Sequence, residues 1–83
     1  MRKEKLAAEL VNLIKTIKKD ENLVITEHIN LADDVGLDSL ELINLILEIE
    51  EKYEVDIDLD EFDFEYLEDF GLFTDFFMKT IGE

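Results

Sequence analysis

The sequence predicts an all-α fold: a small four-helix bundle of three main helices and one short one, with a long loop between the first and second helices. Three observations predict it. Apolar residues recur at helical spacing near both ends and in the middle of the chain. The one stretch with strand-like alternation finds no partner strand elsewhere. The 83 residues contain no Cys, so neither disulfides nor a Cys-based zinc site supports the fold, and stability of about 5–10 kcal/mol must come from packed helices. A chain of this length holds one core, and residues 1–83 read as a single domain.

The first helix is expected over residues 3–19, where Leu6, Leu10, Leu13 and Ile17 recur at spacings of four, three and four, flanked by Ala7, Val11 and Ile14. Lys15, Lys18 and Lys19 fall in its last turn, where the negative end of the helix dipole favours cations. The periodicity then stops, and residues 20–37 read as a long connection with Thr26 capping one short turn and Gly36 near its end. The second helix opens sharply at Asp38-Ser39-Leu40-Glu41: Asp38 accepts from first-turn amides and Glu41, three residues on, reaches back. It runs to about Tyr53. Residues 55–59, Val-Asp-Ile-Asp-Leu, form an extended linker, residues 60–68 a short third helix, and Gly71 breaks the chain before a fourth helix over about 72–81. All eight aromatic residues lie between Tyr53 and Phe77 and are assigned to the core.

Charge narrows the functions. The 23 acidic and 8 basic residues leave a net −15, divided into +4 over residues 1–19 and −19 over residues 20–83. Phosphate backbones and anionic lipid surfaces need clustered Lys and Arg, so nucleic acid and membrane are excluded as partners. No apolar run exceeds three residues, so no membrane span or signal peptide is expected, and the expectation is a cytoplasmic monomer with basic partners.

On a helical wheel, Leu42, Ile43, Leu45, Ile46, Ile49 and Tyr53 form the core face of the second helix. Glu41, Asn44, Glu48, Glu51 and Lys52 lie opposite. Leu40 and Leu47, seven apart, sit at the border, either widening the core or anchoring a partner beside steering charges. Ser39 falls in the first turn, where unpaired amides and the helix dipole favour an attached anion such as a phosphodiester; alone, a serine there is also a common helix-start residue.

The run Ile25-Thr26, Leu31, Asp34-Val35-Gly36-Leu37-Asp38-Ser39-Leu40, then Glu48, Glu50-Glu51, Tyr53 and Val55-Asp56-Ile57, resembles acyl carrier proteins. Their pattern is D-L-G-x-D-S-L followed by a helix ending in E-E-x-F. Val35 stands for the usual Leu and Tyr53 for the usual Phe, while Asn44 stands where a carboxylate is frequent and Asp58 where Pro is. The resemblance implies that Ser39 carries 4′-phosphopantetheine through a phosphodiester. It further implies that Asp38, Leu40 and Glu41 contact a phosphopantetheinyl transferase and basic-patched acyl-processing enzymes, and that Leu47, Glu48 and Glu51 extend this docking face. The arm would supply the thiol that a chain without Cys lacks, so the protein presents substrate and is not itself a catalyst. Docking of this kind weakens with salt.

Three other readings compete with this one. Asp56, Asp58 and Asp60 have the opening spacing of a calcium-binding loop, but Glu61 and Leu67 occupy the positions that require Gly and Glu, so no metal site is expected. A hydrolase built on Ser39 lacks the Gly-x-Ser-x-Gly elbow and has only His28 as a base, a residue expected to be solvated or locally bonded. An unmodified acidic helical adaptor, binding a basic partner, shares the surface features of a carrier and differs only in whether Ser39 is modified.

Overall fold

A computed structural model describes residues 2–82. Three α-helices, α1 (Lys3–Lys18), α2 (Ser39–Tyr53) and α3 (Phe70–Ile81), are joined by the long first loop and by a segment holding two 3₁₀ turns, Leu59–Glu61 and Phe64–Glu68. No strand occurs among the described residues.

Each α-helix buries an apolar stripe; in α1 it centres on Leu6, Leu10 and Ile14, while Leu13 and Ile17, expected on it, pack half-buried at its edge. Leu6, Leu10 and Ile14 of α1 meet Leu42, Leu45, Ile46 and Ile49 of α2 and Phe70, Phe73, Phe76 and Phe77 of α3 in one core. Lys19 and Glu54, both left-handed (φ 55° and 54°), end α1 and α2 by turning an amide back onto the last carbonyls. Polar ties reinforce the helix pairs at the surface: Tyr53 donates its hydroxyl to Glu9, joining α2 to α1, and Lys3 Nζ lies 2.9 Å from Asp75, joining α1 to α3.

The long loop is held by its backbone as well as by apolar burial. Leu31, Val35 and Leu37 enter the core. Leu31 N–H donates to Leu67 O (2.7 Å), Phe70 N–H to Ile29 O (3.1 Å) and Gly71 N–H to Glu27 O (2.7 Å), so the loop is laced along the approach to α3. The expected Thr26 cap has no described side-chain hydrogen bond. Asn30 performs the local turn instead, its Oδ1 accepting from Ala32 N–H (2.9 Å) and Asp33 N–H (2.8 Å).

Four expectations need correction. The short third helix is not α-helical: Asp58 and Asp63 each accept the amide two residues ahead (2.9 Å in both), and these tight side-chain caps divide residues 59–68 into two separate 3₁₀ turns. The bundle therefore has three helices. Gly71 does not break the chain but lies in the first turn of α3, where a Cβ would stand 3.3 Å from Asp69 Oδ1 and 3.4 Å from Glu27 O. A side chain there would require these neighbours to give by a few tenths of an ångström. Ile43, placed in the core by the wheel, is 46% exposed, and Phe64 is 68% exposed, the one phenylalanine outside the core. Phe64 opens the second 3₁₀ turn at the rim of a surface cavity and stays largely outside, whereas Phe62 and Leu67 are buried.

Phe62 is the centre of the aromatic packing. Its ring meets Phe76, Tyr66 and Phe73 edge to face, at centroid distances of 5.2, 5.6 and 6.1 Å, and Phe73 and Phe77 meet edge to face behind it at 4.8 Å. This cluster fastens the 3₁₀ segment to α3.

Candidate functional site

The start of α2 is built by a reciprocal cap. Asp38, extended at φ −89°, accepts Glu41 N–H at Oδ1 (2.8 Å), and Glu41 Oε1 accepts Asp38 N–H (3.1 Å). Gly36, at φ +77°, takes the left-handed turn that brings the chain to this cap. Leu37 and Leu42 are buried on either side, so the intervening residues Ser39 and Leu40 are turned into solvent. The Ser39 hydroxyl has no hydrogen-bond partner among the described residues. Neither the Ser39 nor the Leu40 amide has an acceptor there, which leaves the positive end of the α2 dipole open beside the hydroxyl.

Along α2, Leu40, Asn44, Leu47 and Glu51 recur at four, three and four, and all face solvent together with Glu48. Leu40 is 67% exposed and Leu47 56%, so neither widens the core. Glu41 differs from the other carboxylates. It is half-buried, and besides the Asp38 amide it receives Lys18 Nζ at 3.0 Å, while the same ammonium donates to Gly36 O at 2.9 Å. On the other side of Ser39 lies an apolar cavity of about 160 Å³, bounded by Leu42, Ile43, Ile46, Leu59, Phe62 and Phe64.

The remaining acidic and titratable candidates lie elsewhere. His28 is exposed, with Nδ1 3.2 Å from the Asp69 carboxylate, and has no part in the Ser39 surroundings. Burial works to raise the Asp69 carboxyl, but the Gly71 amide, the His28 hydrogen bond and the charges of His28 and Lys3 outweigh it and hold the group below its usual value. The hydrogen bond to Asp75 lifts the Lys3 amine above its usual value against the opposing effect of burial. Asp58 is occupied in capping its own turn.

Sequence reasoning missed Lys18, Glu50 and Phe64. Glu50 accepts Ile57 N–H at 2.8 Å and so anchors the extended linker. The charge pattern placed Lys18 at a helix C-terminus, but nothing in spacing joins it to a carboxylate 23 residues away.

A family model described as the phosphopantetheine attachment site matches residues 8–72. No curated protein matches the chain, and no solved structure does. In this family 4′-phosphopantetheine is joined covalently to a serine. The structure fits such a group on three counts: residues 8–72 contain one serine, Ser39; its hydroxyl is exposed and unpartnered; and free amides stand where an anion would be attached. When bound, the arm supplies the thiol that the chain lacks. With the match spanning more than three quarters of its length, the chain belongs to the phosphopantetheine attachment-site family, whose members are carrier domains.

Proposed function

We propose that the protein is an acyl carrier protein. Ser39 bears the 4′-phosphopantetheine arm, and the chain presents an acyl or aminoacyl thioester to enzymes of fatty acid, polyketide or related biosynthesis. The observation that carries this reading is the coincidence of the family match with a single serine, exposed at the first position of α2. Loading is a transfer in which Ser39 Oγ bonds to the β-phosphorus of coenzyme A. The bond from that phosphorus to the bridging oxygen breaks, adenosine 3′,5′-bisphosphate leaves, and the hydroxyl proton passes to a base of the transferase.

The chain's own contribution is presentation. The capping box holds Ser39 at the head of a rigid helix, and Leu40 and Leu47 offer apolar anchors along the exposed side of that helix. Asp38, Glu48 and Glu51 steer the transferase and basic-patched acyl-processing enzymes toward it, and Glu41 acts mainly by fixing the helix start. The protein works as a cytoplasmic monomer.

Intact mass after incubation with coenzyme A and a phosphopantetheinyl transferase tests the reading. The native chain should gain the mass of one arm and Ser39→Ala none. A native chain that gains nothing with several transferases is an unmodified acidic adaptor instead.

A further inference from the structure

Among the described residues, the side-chain hydrogen bonds from α1 to residues 36–41, which surround Ser39, come from Lys18, near the end of α1. Its ammonium grips that segment on both sides of the serine. Three residues before Ser39 it holds the Gly36 carbonyl at 2.9 Å, and two residues after it holds Glu41 Oε1 at 3.0 Å. The same carboxylate oxygen receives the Asp38 amide, so Lys18 bonds directly to the Glu41 half of the reciprocal cap. Lys18 is the most committed cation of the basic first helix: its side chain is largely covered, whereas the amine of Lys15, one turn earlier, enters none of the described ion pairs.

The consequence concerns how the serine is placed. Ser39 itself makes no side-chain hydrogen bond among the described residues, and Gly36 sits in a left-handed conformation within a loop that depends on its neighbours for support. An ammonium bonded to a carbonyl and a carboxylate makes two charge-assisted hydrogen bonds, which are the stronger and more directional kind. Lys18 also offsets one of the negative charges closest in sequence to the point where a phosphodiester would be added.

We propose that Lys18 is a positioning residue for modification of Ser39. By bridging Gly36 and Glu41 it holds the hydroxyl in the pose from which the phosphopantetheine arm is accepted. The inference rests on the carrier reading above. It adds a function for the basic helix that docking on α2 does not involve.

Steady-state transfer from coenzyme A by a phosphopantetheinyl transferase tests the role with the full chain and with Lys18→Gln, Lys18→Arg and Lys15→Gln. Lys18→Gln removes both charge-assisted bonds and should lower kcat about tenfold with KM changed less than about twofold. Lys18→Arg, which still spans the two acceptors, should recover most of the rate. Lys15→Gln removes the same charge from the same end of α1 and should match the native chain. Circular dichroism melts fix an assay temperature at which every variant is folded. An unchanged kcat in folded Lys18→Gln would reduce Lys18 to a stabilising contact and overturn the proposal. A change confined to KM and shared by Lys15→Gln would make it a steering charge and also overturn it. A native chain that accepts no arm defeats the carrier reading itself, an outcome distinct from both.

Discussion

Replacing Phe62 by alanine should come close to unfolding the protein. The ring is buried and meets Tyr66, Phe73 and Phe76 edge to face within 6.1 Å. Truncating a buried phenylalanine costs about 3–5 kcal/mol through lost transfer energy and the cavity left behind. A domain of this size has total stability of about 5–10 kcal/mol. With a urea slope of about 1 kcal/mol/M, the unfolding midpoint should fall by about 3–5 M, monitored by far-ultraviolet circular dichroism. Phe62→Leu retains most of the apolar bulk and loses the edge-to-face geometry, so its cost should be about 1–2 kcal/mol. A cycle combining Phe62→Leu with Phe76→Leu should give a coupling of about 1 kcal/mol for that ring pair. The reasoning is refuted if Phe62→Ala costs less than about 1 kcal/mol, because the 3₁₀ segment would then be attached to α3 by something other than this ring.

Two further predictions concern the junction of the long loop with α3. The Asp69 carboxyl is held below its ordinary value, so its contribution is complete above the unfolded value of 3.8 and is lost as pH falls through the lower folded value. Asp69→Asn should therefore flatten the acid limb of a melting-temperature profile taken from about pH 6 to pH 2, and an acid limb as steep as that of the native chain would rule out this carboxyl as a source. Gly71→Ala ought to gain about 1 kcal/mol from helix propensity alone. The added Cβ would stand 3.3 Å from Asp69 Oδ1 and 3.4 Å from Glu27 O, the two acceptors of the Gly71 amide, and displacing them offsets that gain, so the variant should melt within about 4 °C of the native chain, and a rise of about 4–8 °C would contradict that account.

The α2 start was readable in advance because a reciprocal cap is a local device: Asp38 and Glu41 lie three residues apart and their partners are each other's amides. The buried stripes of α1 and α2 were legible for a related reason, since a helix projects its side chains by a fixed rotation per residue. Where that rotation failed, at Ile43 and Phe64, the deciding factor was which neighbours arrive to cover a position. Ile43 has the spacing of a core residue but lies at the rim of the cavity beside Ser39, and Phe64 stands at the rim of the same cavity.

The sequence by itself thus determined the all-helical class, the place where α2 begins, and a serine in its first turn, because periodicity and capping act over a few residues. The helix count, the close approach that Gly71 permits, and the grip of Lys18 on Gly36 and Glu41 were decided only by the tertiary structure. Each of these depends on groups distant in the chain meeting within a few ångströms, and no local spacing records which distant groups will meet.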